Sequence, residues 1–256
     1  MKKTVNIFAL ILSILITSCK SDTTAPVPLE QTSAIALTFD NRISANQDLS
    51  LNTSTFVNQN NETVQTNELK YIISNITLTQ DDGTIFEYPK EDSYFVINEE
   101  DPSSLQLVLS EIPIGNYTHI SFGIGVDQSK YPLDGGVLNF IPLAEEAGML
   151  WNWAAGYKFI KFEGMYTPQG GTASPFVIHV GSHGTNLDNY TSVTLPLGNS
   201  ITVATGSTAD INIDVFVENI IDATNQIKLE DTSDIQVDPV NAPRIAKNME
   251  SAFQAQ

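Results

Sequence analysis

Cysteine is almost absent from this sequence: among 256 residues only Cys19 carries a thiol. A lone thiol excludes an internal disulfide and any paired-cysteine metal or redox motif. Basic residues are scarce too, 12 Lys and Arg against 30 Asp and Glu, for a formal charge of −18. With no Lys or Arg cluster to follow a phosphate backbone, nucleic acid is excluded as a partner. The acidity keeps a domain soluble and attracts cations diffusely, without building a metal site. Histidine occurs three times, at His119, His179 and His183. No glycine-rich phosphate loop, internal repeat, or nucleophile beside a base stands out, so the chain reads as a non-enzymatic protein. Asp127, Asp134 and Asp188 sit near turns, but their spacing is not that of a calcium loop, and they read as solvated turn carboxylates. The apolar stretch from Val5 to Ile16 falls short of the roughly 20 residues of a bilayer crossing.

What precedes and follows that stretch gives it a different meaning. Met1-Lys2-Lys3 is basic, and the order of basic start, short apolar run and small residues is that of a secretory signal. Ile16-Thr17-Ser18-Cys19 resembles the lipobox of bacterial lipoproteins, in which the thiol is acylated and the chain is cut before the cysteine. The predicted organisation is a lipoprotein signal peptide over 1–18, a lipidated tether over 19–30, and a folded domain over 31–256. The tether, polar and proline-bearing, has too little apolar surface to offset the entropy of ordering it. Two or more acyl chains such as palmitate anchor stably, each buried methylene adding roughly 0.8 kcal/mol. The expected location is therefore extracytoplasmic, anchored by lipid to a bacterial membrane, with the outer membrane favoured and the domain facing the periplasm or the surface.

Strand signals dominate the domain. Ile35, Leu37 and Phe39 alternate with Ala34, Ala36 and Thr38, and a β-branched run from Leu69 to Thr79 leads into the turn Asp81-Asp82-Gly83. Further strands are predicted over 84–88, 94–97, 117–126, 157–166, 176–180, 192–195 and 209–217. Turn residues at Pro113-Ile114-Gly115-Asn116, Thr167-Pro168-Gln169-Gly170-Gly171 and Leu197-Gly198-Asn199 separate several of them. With no βαβ spacing, the fold class predicted is all-β, an antiparallel β-sandwich. Ile245, Met249 and Phe253 recur at helical spacing, predicting a short C-terminal helix.

Both tryptophans lie between Gly148 and Gly164, in Gly-Met-Leu-Trp-Asn-Trp-Ala-Ala-Gly-Tyr-Lys-Phe-Ile-Lys-Phe-Glu-Gly. On an extended backbone Trp151 and Trp153 point the same way, and Tyr157, Phe159 and Lys161 share a face of the next strand. An aromatic core cluster is the plain structural reading. The stretch Met149-Leu150-Trp151-Asn152-Trp153, with Gly156-Tyr157-Lys158-Phe159 and Glu163-Gly164, resembles the central motif of the MbnP family of bacterial copper-associated proteins. Gly115-Asn116-Tyr117 leading into Phe122-Gly123-Ile124-Gly125-Val126-Asp127 is similar to the family's preceding strand. Phe176-Val177-Ile178-His179-Val180-Gly181 resembles its histidine-bearing strand, and Asn248 sits in a similar terminal helix.

The resemblance implies an Ig-like sandwich, often encoded beside a dihaem peroxidase-like enzyme related to MauG. In that family the partner oxidises a tryptophan to kynurenine at a copper site with histidines. By position Trp151 and Trp153 are both candidates for the modified residue. Imidazoles suit copper, and His179 and His183 are the expected metal ligands. On a straight strand these two share a face but stand about 13 Å apart, at roughly 3.3 Å per residue, so direct chelation by both needs the chain to turn after His179. His119, beside Thr118, reads as a surface residue, and beyond His179 the family's ligand histidines find no match by position. The function predicted is an extracytoplasmic copper-binding or copper-handling lipoprotein whose tryptophan matures in trans. The alternative is a metal-free surface sandwich that binds a ligand such as carbohydrate by stacking on Trp151, Trp153 and Tyr157.

Overall fold

The alternation that opens the domain becomes β1 (Thr32–Ser44), with Ile35, Leu37 and Phe39 turned into the core. The computed structural model describes residues 31–127, 140–152, 156–183 and 186–256. Cys19 with the predicted signal and tether, Asp134, and Trp153 lie outside the described residues. Among the described residues no helix is long and apolar enough to cross a membrane.

Two sheets form the unit Gln31–Gln256. The first contains β1, β2 (Gln47–Asp48), β7 (Gln106–Pro113), β12 (Thr208–Phe216) and β14 (Phe253–Ala255). The second contains β3 (Thr55–Val57), β4 (Thr63–Gln80), β5 (Ile85–Glu87), β6 (Tyr94–Asn98), β8 (Gly115–Ile124), β9 (Ile160–Thr167), β10 (Ser174–Val180), β11 (Thr191–Val203) and β13 (Asp234–Ile235). Its main path runs β11-β8-β4-β9-β10-β13, with β3, β5 and β6 also pairing with β4. The inner faces meet in an aromatic seam. Phe39 of the first sheet packs edge-on against Tyr71 and Phe122 of the second, at 6.3 and 6.0 Å between ring centroids, and Phe253 does the same from β14 at 5.8 and 5.2 Å. Such edge-to-face contacts add to the area buried and join the sheets as a sandwich.

The β-sandwich expectation holds, with its pairing more mixed than the sequence reading had it. Most ladders are antiparallel, but β1 pairs parallel with β12 from Ala34↔Thr208 to Arg42↔Phe216, and β10 pairs parallel with β13. A parallel partner must arrive by a long connection, and local turn signals do not reveal it. The C-terminal helix is also shorter than its apolar series. Helix α2 (Asn241–Met249) keeps Ile245 and Met249, but tight turns from Asn248 O to Ser251 N and from Met249 O to Ala252 N end it there. Phe253 instead starts β14, where it pairs with Val215. A second helix, α1 (Phe140–Glu146), precedes the tryptophan segment.

Strand β4 organises the side of the molecule that matters for function. Between Thr66↔Gly164 and Glu68↔Glu163 its register against β9 slips by one residue, leaving Asn67 as the extra residue of a bulge. The bulge is accommodated at Gly164, where a Cβ would lie 2.0 Å from the Gln65 carbonyl oxygen. Beyond it Leu69 and Tyr71 enter the core while Glu68 and Lys70 form ion pairs.

Candidate metal centre

The segment between α1 and β9 folds back on itself. Leu150 and Tyr157 form an isolated antiparallel bridge, Lys158 N donates to Met149 O at 2.7 Å, and Phe159 N donates to Val180 O at 2.6 Å. This pins the tryptophan segment against the end of β10. The strand predicted from Tyr157 begins only at Ile160, because the bridge occupies its first residues. Tyr157 and Phe159 belong to the core, whereas Lys161 joins a row of ion pairs.

Trp151 is buried, with 5% of its surface exposed. Several polar groups stand beside it. The indole Nε1–H donates to the Tyr157 carbonyl oxygen at 3.1 Å. The ring centroid lies 6.0 Å from that of His179 and 5.2 Å from that of His183, and the Lys158 ammonium sits 5.5 Å from it, within cation–π range. The burial of Trp151 and Tyr157 agrees with the core reading and leaves neither ring an open face on which a sugar could stack.

Gly181 makes this packing possible. It follows β10 midway between the two histidines, and a Cβ there would lie 3.1 Å from the indole Nε1 and 2.3 Å from the Tyr157 carbonyl oxygen. The interval between the histidines is therefore occupied by the indole. A loop holds the 181–183 segment in place. Asn189 Nδ2 donates to Gly181 O at 2.8 Å, Ser182 Oγ to Asp188 Oδ1 at 2.8 Å, and His183 N to Leu187 O at 2.9 Å. Asp188, an exposed turn carboxylate as expected, also braces this loop. Asp127 likewise accepts from Lys90 at 2.7 Å and Asn75 at 3.0 Å.

Both histidines favour the neutral form. Burial lowers the pKa of His179, against the pull of its hydrogen bond to Glu163 and with the Lys158 charge adding to the depression. Burial alone lowers that of His183. His179 Nε2 lies 2.7 Å from Glu163 Oε1, while its Nδ1 is buried with no hydrogen-bond partner among the described residues. Lys158 is also pushed down, by burial first and then by Lys161, and its ammonium donates to Gly148 O at 3.1 Å. Among the described residues no three His, Cys, Asp or Glu side chains converge as metal ligands. Two imidazoles and one indole do come together.

A pH dependence follows from the two depressed histidines. Their neutral folded forms contribute stability that is complete above the ordinary value of 6.5 and is lost as pH falls through their lower folded values, since the unfolded chain then binds more protons. Glu99 and Glu218, whose carboxyls burial pushes up, act in the opposite sense, so the informative quantity is a difference. Between about pH 7 and about pH 5, the melting temperature of wild type is expected to fall more steeply than that of His179→Gln. Parallel thermal melts across that range would contradict this assignment.

The structure brings together Trp151, His179 and His183, and leaves His119 apart. His119 lies on β8, separated from β10 by β4 and β9, half-buried with Nδ1 3.0 Å from Thr118 Oγ1. Sequence pattern alone does not single out Glu163, Lys158 or Gly181 as site residues. All three stand inside the family-like motifs, but their contacts depend on strand register and on the folded-back loop.

The MbnP family model matches residues 32–240, a span that holds Trp151, Lys158, Glu163 and both clustered histidines. The chain belongs to the MbnP family. Among solved structures it is similar to MbnP from Methylosinus trichosporium, with 14% identity, a TM-score of 0.46, and coverage of 75% of this chain and 78% of that one. No curated protein matches the chain. The MbnP match starts in β1 and ends just before α2.

Proposed function

We propose that this MbnP-family protein is an extracytoplasmic copper-handling lipoprotein, anchored through Cys19, whose Trp151 is converted to kynurenine by a MauG-like dihaem partner. The observation that carries the reading is the burial of the Trp151 indole beside two imidazoles. Cleavage of the indole C2–C3 bond, with C2 leaving as formate, would turn Nε1 into an aryl amine and leave a ketone at C3; the oxygen would come from water, and four electrons and four protons would pass to the haem partner and on to an oxidant such as peroxide. The amine nitrogen derives from Nε1, the atom held at the Tyr157 carbonyl oxygen. Neutral imidazoles are the form in which histidine ligates a metal, and the buried, unpartnered Nδ1 of His179 is a donor atom in want of an acceptor for its lone pair. The residues therefore fit copper, with His179, His183 and the modified Trp151 as the ligands. Copper held there would be a nitrogen-bound ion that the protein stores, carries or cycles between its oxidation states. The chain's own part is to exclude water from Trp151, keep the imidazoles neutral, and fix the indole through Tyr157 and Gly181.

Intact mass and peptide mapping of protein made together with its haem partner test this reading directly. The expected mass shows loss of residues 1–18, acyl chains on Cys19, and one tryptophan that has gained an oxygen and lost a carbon. Metal analysis of the same preparation, exposed equally to copper and zinc, is expected to find copper in one-to-one ratio. Unmodified tryptophan in the presence of active partner would end the maturation proposal, an unacylated Cys19 the anchor, and absence of copper the metal assignment.

A further inference from the structure

The outer faces of β4, β9 and β10 carry two rows of side chains set by strand register. Lys70, Lys161 and His179 stand directly across from one another, and Glu68, Glu163 and Val177 form the next row. The charges link into a chain. Lys161 Nζ lies 2.7 Å from both oxygens of Glu68, Lys70 Nζ lies 2.7 Å from Glu68 Oε1, and Lys161 reaches Glu163 Oε1 at 3.3 Å. Glu163 Oε1 is also the atom 2.7 Å from His179 Nε2. Although burial opposes it, Lys161 and Lys70 hold the Glu68 carboxyl below its usual range, and Glu68 holds the Lys161 ammonium above its own.

We propose that Glu163 is a positioning residue that fixes His179 in the Nε2–H tautomer and so makes Nδ1 the nitrogen that faces a metal. The argument is one of inventory. A neutral imidazole has a single N–H, and a carboxylate only accepts. At 2.7 Å from the Glu163 oxygen the proton belongs on Nε2, and the lone pair falls on Nδ1. That nitrogen is buried and has no protein partner among the described residues, whereas an imidazole present only for packing would satisfy both atoms. Glu163 does not swing freely, because Lys161 holds the same oxygen and is itself held by both oxygens of Glu68. A carboxylate behind a ligating imidazole also raises its basicity and orients its ring. This assignment rests on the copper reading for what binds Nδ1, but not for the tautomer.

Proton–nitrogen correlation spectra of the histidine rings, taken on the metal-free chain with Trp151 unoxidised, decide the point. His179 is expected to be a single Nε2–H tautomer in wild type and a mixture in Glu163→Ala. Glu163→Gln is expected to restore the tautomer, since the amide oxygen still accepts. In the matured protein, Glu163→Ala is expected to weaken copper binding by about 10- to 100-fold, the usual effect of losing such a partner, with Glu163→Gln intermediate. An Nδ1–H tautomer in wild type overturns the proposal, as does a Glu163→Ala protein that keeps both tautomer and affinity. The wild-type spectrum needs no variant to fold. A wild-type protein that binds no copper would remove the metal reading alone, while the tautomer would still decide the role of Glu163.

Discussion

Trp151→Phe is expected to abolish both the oxidative mass change and stoichiometric copper binding in protein made with its haem partner, while Trp153→Phe leaves both intact. Phenylalanine keeps a buried aromatic ring but has no ring nitrogen, so no reaction could turn it into an amine donor. The loss of copper should therefore exceed the roughly 10- to 100-fold typical of a residue that only supports a ligand. Trp151 is the tryptophan whose ring lies 6.0 and 5.2 Å from the two histidine rings, and its Nε1 is already hydrogen-bonded at the site. The cost to folding should remain below the roughly 3–5 kcal/mol of a truncation to Ala, so loss of fold would not account for loss of copper. Peptide mapping discriminates cleanly: a modified Trp153 in the Trp151→Phe protein, with copper retained, would relocate the centre.

Gly181→Ala should disturb the same centre without removing any donor atom. The added methyl would stand 2.3 Å from the Tyr157 carbonyl oxygen and 3.1 Å from the indole nitrogen. The first contact is with backbone, which has no rotamer to escape into. Overpacking of this kind costs about 1–3 kcal/mol, and for a domain of this size each kcal/mol lowers the melting temperature by roughly 2–4 °C. Because the carbonyl that must move is the acceptor for Trp151 Nε1, its displacement should also shift the tryptophan fluorescence and reduce maturation. Gly198→Ala provides the control, since a Cβ there has nothing within 4 Å and should change stability by under about 0.5 kcal/mol. Equal melting temperatures for the two variants would show that the close packing at Gly181 is not required.

Several of these features are legible in the sequence because they depend on local pattern. The alternation of Ile35, Leu37 and Phe39 specifies a half-buried strand wherever that strand pairs, and the tryptophan motif carries the family. Other features are set by contacts between distant segments. The parallel pairing of β1 with β12 joins residues that no turn connects. Phe253 keeps the helical interval from Met249, yet backbone turns after Asn248 and Met249 hand it to a strand. Period-two reasoning places His179 and His183 on one face of a straight strand, with Gly181 between them. It could not foresee that a loop from before β9 would lay an indole over Gly181 between them. Glu163 is the plainest omission. Its partner His179 is opposite Lys161 rather than opposite Glu163 itself, so even a correct list of strands does not reveal the pair without their register and side-chain directions.

The extra residue at Asn67 has a consequence for comparing and transplanting this centre. Before the bulge the even-numbered residues Val64 and Thr66 are buried; after it the odd-numbered Leu69 and Tyr71 take the core, and the even-numbered Glu68 and Lys70 take the ion pairs. A single extra residue thus changes which parity of residue number faces inward while the bulge keeps the two faces of the strand as they were. Deleting Asn67 would bring Glu68 directly after Thr66 and restore plain alternation, with Leu69 and Tyr71 still in the core and Glu68 and Lys70 still in the ion pairs. An alignment of relatives that misplaces a one-residue gap here would match core positions to charged ones. Grafting the two histidines and the tryptophan onto another sheet would likewise fail to carry the Glu163 clamp, unless Lys161 and Glu68 travelled with them.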